Sequence, residues 1–171
     1  HTRCSRDWSS DGALPICADP KSLVFAGVGK SAAEIAAALK AGVKCINVES
    51  IAELRKINRV ATELQIRAPI SLRVNPDVDA QTHPYISTGL KGNKFGIAYH
   101  EVLKTYREAS QLPQIDVVGI DCHIGSQITT TAPYLDALDK VLDLVEHLKR
   151  EGIIIHHLDL GGGLGISYSD E

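Results

Sequence analysis

Apolar positions fall into short β-branched runs, and the stretches between them carry apolar residues at three- and four-residue spacing. Residues 23–27 read as a strand. Ser31, with Glu34 three positions later, forms a capping box for a helix whose alanines continue to Ala41, and Gly42 closes it. Residues 43–48 predict a second strand, Ser50 caps a second helix through Leu64, and Pro69 opens a third strand over 70–75. A helix follows over 101–111, then a strand of Val, Ile and Cys over 115–123, read as apolar throughout. The long helix over 132–150 has its apolar stripe at Leu135, Leu138, Val141, Leu142, Val145 and Leu148, its charges on a solvated face, and Gly152 at its end. The last strand, 153–160, runs into Gly161-Gly162-Gly163-Leu164-Gly165. Five strands alternating with four helices predict parallel, right-handed βαβ units, either an open doubly wound sheet or part of a (β/α) barrel.

Two stretches lack this rhythm. Residues 1–18 have neither period and hold the only tryptophan, so they are expected to be poorly ordered, with the folded domain over 19–171. Residues 77–94 are rich in turn formers. Pro84, Tyr85, Ile86 and nearby Phe95 suit a functional loop better than a solvated linker.

Composition narrows the function classes. The 171 residues are 44% hydrophobic and 23% charged, which suits one domain with one core. With 18 Lys and Arg against 21 Asp and Glu, and no dense basic run, a nucleic-acid partner is not expected. No apolar run approaches the roughly 20 residues that span a bilayer, so no membrane role and a cytoplasmic location are expected. Cys4, Cys17, Cys45 and Cys122 form no CxxC pair. Two of them lie in apolar runs as small hydrophobes.

Candidate chemistry collects at strand ends. A triple-glycine turn after a buried strand either forms an amide nest for phosphate oxygens or makes a tight connection without a ligand. Gly27-Val28-Gly29-Lys30-Ser31 misses the Walker spacing, because Val24 stands where a glycine is needed, and reads as a plain strand-to-helix turn. Arg73, inside an apolar strand, points either to a ligand region or to a structural salt bridge. His123, followed by Gly125 and Ser126, puts an imidazole and a hydroxyl where α/β folds carry chemistry. Asp159 either orients a site or satisfies backbone amides, and His156 and His157 read as structural. Asp77, Asp79 and His83 are turn residues, and no metal is expected.

Five motifs in order resemble bacterial diaminopimelate decarboxylases. They are Arg73-Val74-Asn75-Pro76-Asp77-Val78-Asp79; Thr82-His83-Pro84-Tyr85-Ile86-Ser87-Thr88-Gly89-Leu90-Lys91; Lys94-Phe95-Gly96-Ile97; His123-Ile124-Gly125-Ser126-Gln127; and Leu158-Asp159-Leu160 with the glycines to Gly165. The resemblance runs from about residue 18 to the end. It implies a pyridoxal 5'-phosphate-binding (β/α) barrel of the alanine racemase type, followed by a β domain, in a homodimeric lyase that converts meso-diaminopimelate to L-lysine and CO₂.

Carried onto this chain, the resemblance implies that His123 stacks on the cofactor ring and Ser126 bonds its phosphate. The amides of Gly161, Gly162 and Gly163 hold the same phosphate. Arg73 lies beneath the ring as a second catalytic residue, and Lys94 sits near the subunit interface. The strands with the Schiff-base lysine and the last barrel glutamate, and the β domain, have no counterpart in these residues. The chain is therefore expected to form a partial TIM-type barrel, about strands three to seven of eight. As a fragment it is expected to be inactive alone. Two other functions fit the same barrel: decarboxylation of ornithine, arginine or a polyamine precursor, and non-catalytic regulation of a partner.

Overall fold

The computed structural model describes residues 19–78 and 95–166. Expectations for residues 1–18 and for Asp79, His83 and Lys94 lie outside them. After a tight turn at Pro20–Ser22 the elements are β1 (Val24–Phe25), α1 (Ala32–Ala41), β2 (Cys45–Val48), α2 (Ile51–Leu64), β3 (Ala68–Asn75), β4 (Ile97–Ala98), α3 (Tyr99–Gln111), β5 (Ile115–Cys122), α4 (Ala132–Arg150) and β6 (His157–Asp159). Every strand pair is parallel. The order is β1-β2-β3-β5-β6, with β4 added to β3.

Local chemistry sets the helix ends. Ser31 and Glu34 make the reciprocal capping box, and Gly42 closes α1 at φ 75°. The Ser50 hydroxyl accepts the Glu53 amide at 3.2 Å to start α2. The helices cover the convex face of the sheet. There Ile46, Val48, Ile70, Leu72, Ile120 and Cys122 pack with Leu54, Ile57, Tyr106, Val141 and Leu148 in one core.

The sheet curls into half a barrel, as two contacts from β2 to β6 across its concave face show. Asn47 Nδ2 donates to Asp159 Oδ2 at 3.2 Å, and Cys45 Sγ lies 3.3 Å from His157 Nε2. His157 is also why residue 119 is glycine, since a Cβ there would stand 2.5 Å from the imidazole Cε1. A structural role was expected for this histidine, and packing of this kind is one.

Three expectations need correction. Among the described residues there are six strands rather than five, because Ile97 and Ala98 pair with Val74 and Asn75 beyond the end of β2. The last strand is only His157–Asp159, since residues 153–156 approach β5 without ladder pairing beyond the bond from His156 N to Val118 O at 2.9 Å. β5 is not wholly apolar, because Asp116 and Asp121 lie within it. Its register on β3 slips by one residue, with Val117 opposite Ile70 but Gly119 opposite Ser71. That slip turns Gly119 and Asp121 to the concave face while Ile115 and Val117 stay on the core side.

Candidate active site

Alternation along four strands lays polar residues on the concave face in tiers. β3, β5 and β6 place Arg73 beside Asp121 and Asp121 beside Asp159. Glu49, just past β2, completes the tier with a carboxylate 2.6 Å from Arg73 Nη1. One step nearer the strand ends stand His123 and Gly161. Together with Ala26, Gly27, Phe95 and Gly162 these residues line an open cleft of about 560 Å³, within the range of small-molecule sites.

Arg73 is paired by Glu49 and lines the cleft. Asp159 has two partners. Its Oδ2 accepts from Asn47, and its Oδ1 accepts the Gly161 amide at 2.8 Å, which fixes the entry of the glycine turn. Burial, with the Arg73 charge second, lowers the His123 pKa and favours a neutral imidazole. Burial, then the charge of Asp159, pushes the Asp121 carboxyl up to about 7, against the opposing pull of Arg73. Cys45 and Cys122 are buried thiols driven up to about 11 and about 12, chiefly by burial, and are inert at neutral pH.

The glycine turn has two kinds of glycine. Gly163 has φ 97°, and a Cβ on it would strike the carbonyl oxygen of Gly125. Gly161 has φ 71°, and a Cβ there would strike the carbonyl oxygen of Cys122. These two let the turn after β6 lie directly on the turn after β5, which carries His123 and Ser126. The bonds from Ile128 N to Gly163 O at 2.9 Å and from Gly165 N to Ile128 O at 3.0 Å tie the turns together. Gly162 differs, since a Cβ there would meet nothing within 4 Å. The Tyr134 hydroxyl donates to its carbonyl at 3.1 Å, so the trans peptide turns the Gly163 amide away from that side. Among the described residues the amides of Gly162 and Gly163 make no hydrogen bond.

The turn at Gly27 and Gly29 binds no phosphate through its lysine. Lys30 is 3% exposed; its Nζ donates to the carbonyls of Gly27 and Asn47, each at 2.6 Å, and lies 3.3 Å from Glu53. It locks β1, β2 and α2 together, as a plain connecting turn requires.

Residues 11–171 match the family described as "Pyridoxal-dependent decarboxylase, pyridoxal binding domain". The chain belongs to this family. The match begins inside residues 1–18, earlier than the motifs indicated. Among relatives of this pyridoxal-dependent decarboxylase domain, the diaminopimelate decarboxylase of Vibrio cholerae serotype O1 is 60% identical over 153 residues, covering 90% of this chain and 37% of that protein. The crystal structure of diaminopimelate decarboxylase from Helicobacter pylori complexed with L-lysine superposes with a TM-score of 0.89 at 45% identity, over 94% of this chain and 41% of that one. The Paramecium bursaria Chlorella virus arginine decarboxylase gives a TM-score of 0.74 at 28% identity, over 90% and 39%. The chain spans little more than a third of the curated relatives it matches, and the half-barrel agrees with the partial TIM-type barrel expected.

Glu49, Asn47 and Asp121 escaped the motif reading. Alternation sets Asp121 in phase with His123 but equally with the core-side Val117, so it could not place Asp121 by itself. Among the described residues no helix is long and apolar enough to cross a membrane.

Proposed function

We propose that this chain is the cofactor-binding half-barrel of a diaminopimelate decarboxylase, which releases CO₂ from meso-2,6-diaminopimelate to leave L-lysine, as a homodimer when complete. The observation that carries the reading is the joint wall of two strand-end turns. His123 and Gly162 line one cleft, Ser126 and Gly163 lie on the same two turns, and among the described residues the amides of Gly162 and Gly163 make no hydrogen bond, in a chain 60% identical over 153 residues to a named diaminopimelate decarboxylase.

The donor set suits pyridoxal 5'-phosphate. The amides of Gly162 and Gly163 and the Ser126 hydroxyl would hold the phosphate, while Gly161, its amide committed to Asp159, braces the turn. The His123 imidazole would stack on the ring, its neutral form sparing the site a second cation beside Arg73. Arg73, fixed by Glu49, would lie beneath the ring as a positive charge that cannot swing away. When bound, the cofactor supplies an electron sink for the carbanion left by departing CO₂.

Absorbance titration with pyridoxal 5'-phosphate should show saturable binding that weakens at least tenfold in H123A. A version extended by the missing barrel strands and β domain should release CO₂ from diaminopimelate in preference to ornithine or arginine. Equal turnover of ornithine or arginine would move the assignment to another decarboxylase of the family, and a complete version that binds no cofactor would favour the regulatory reading.

A further inference from the structure

Of the four charged residues on the cleft floor, three have fixed partners. Glu49 holds Arg73 at 2.6 Å and accepts the Gly27 amide at 3.3 Å. Asp159 accepts from Asn47 and from Gly161. Lys30, the second cation nearby, is neutralised by Glu53 at 3.3 Å. Asp121 is different. It is 5% exposed, it lines the cleft, and its neighbour on β6 is another acid, Asp159.

A carboxyl this little exposed, with a second acid beside it on the next strand, keeps its charge only at a cost. On one side of Asp121 stands Arg73, whose charge is already opposed by Glu49; on the other stands Asp159, an acid on the adjacent strand. His123, two residues on, favours its neutral form and offers no counter-charge. With all four floor groups ionised the tier carries an excess of two negative charges. A phosphate-bearing ligand adds about −1.5 to −2 more and displaces the water that screens them. Discharging Asp121 relieves the repulsion, and the upward shift of its carboxyl to about 7 shows how little this requires near neutral pH.

Resting on the cofactor reading of this cleft, we propose that Asp121 is part of the ligand-binding floor and enters the bound state as a neutral acid, so that the cleft takes up an anionic phosphate-bearing ring together with one proton. The proton passes from the buffer to a carboxylate oxygen of Asp121 as the complex forms; no other bond changes. Asp121 thereby links ligand affinity to pH.

Calorimetric titration of the 171-residue chain with pyridoxine 5'-phosphate tests this, because that probe has the ring and phosphate but no aldehyde to react with surface lysines. At pH 8, in two buffers of different ionisation enthalpy, the wild type should take up about one proton more than D121N. Above that pH its affinity should fall about tenfold per pH unit relative to D121N, while D121E should keep the proton. Carboxyl ¹³C shifts of aspartate-labelled wild type read the same event without a variant: one resonance should titrate near neutrality in the free protein and hold its neutral-acid position in the complex. Equal uptake in wild type and D121N, or a carboxyl that ionises in the complex, would overturn the inference alone. Failure of the probe to bind at any pH would overturn it together with the cofactor reading.

Discussion

Asp121 and His123 sit two residues apart on one face of β5, and burial drives both toward their uncharged forms. The consequences for stability have opposite signs. The raised Asp121 carboxyl contributes stability that is present below its unfolded value near 4 and is lost as pH rises through about 7. The lowered His123 contributes stability present above its unfolded value and lost as pH falls below it. D121N should therefore unfold at higher urea than wild type at pH 8, by on the order of 2 kcal/mol, with the gap narrowing below pH 7 and closing near pH 4; a constant gap would exclude ionisation as its source. His123 was legible in the sequence because Gly125 and Ser126 mark a strand end. Asp121 was not, because alternation counted from Ile115 places it on the same face as Val117, and only the register slip against β3 separates them.

At the scale of elements, helix limits were readable from local chemistry, whereas strand limits depended on partners distant in the chain. Ser31, Glu34 and Gly42 act within their own helix and declared it. Residues 153–155 have strand composition, yet the ladder with β5 begins only at His157. β4 is two residues long and exists because β2 ends early enough to leave β3 room beside Val74 and Asn75. The glycine turn shows the same division. Its role as a nest or a tight connection was undecidable from composition, and the two roles fall on different residues. G163A should lose most of its folded population, because both φ 97° and the Gly125 carbonyl oppose a side chain. G162A should melt within about 3 °C of wild type while binding pyridoxal 5'-phosphate at least fivefold more weakly, since its methyl would project into the cleft. Equal binding would remove Gly162 from the proposed phosphate site.

For the whole molecule, the described residues form an open half-barrel with β1 and β6 as its edges, each paired on one side only. Two side-chain bridges from β2 to β6 keep it curled. If, as the resemblance implies, the lysine-bearing strand lies outside these residues, the 171-residue chain should release no CO₂ from meso-diaminopimelate; gas release by the purified chain would refute this. Barrel class and partial extent were legible from the alternation of elements and the order of the motifs. The polar interior was not, because it arises only when strands distant in sequence face one another. The short pairing of β4 with β3 has a consequence for modularity. Asn75 stands opposite Ala98, and the Gly96 amide is bonded to Glu49 O at 3.1 Å, so the described residues on either side of 79–94 are both held by the barrel. The barrel thus fastens both ends of that segment itself, and doubling its length costs only about 0.6 kcal/mol in closure entropy. Replacing residues 79–94 by a short Gly-Ser linker should leave the melting temperature within about 4 °C of the parent. Its two ends being fastened by the barrel, the intervening segment can be exchanged without refolding what holds it.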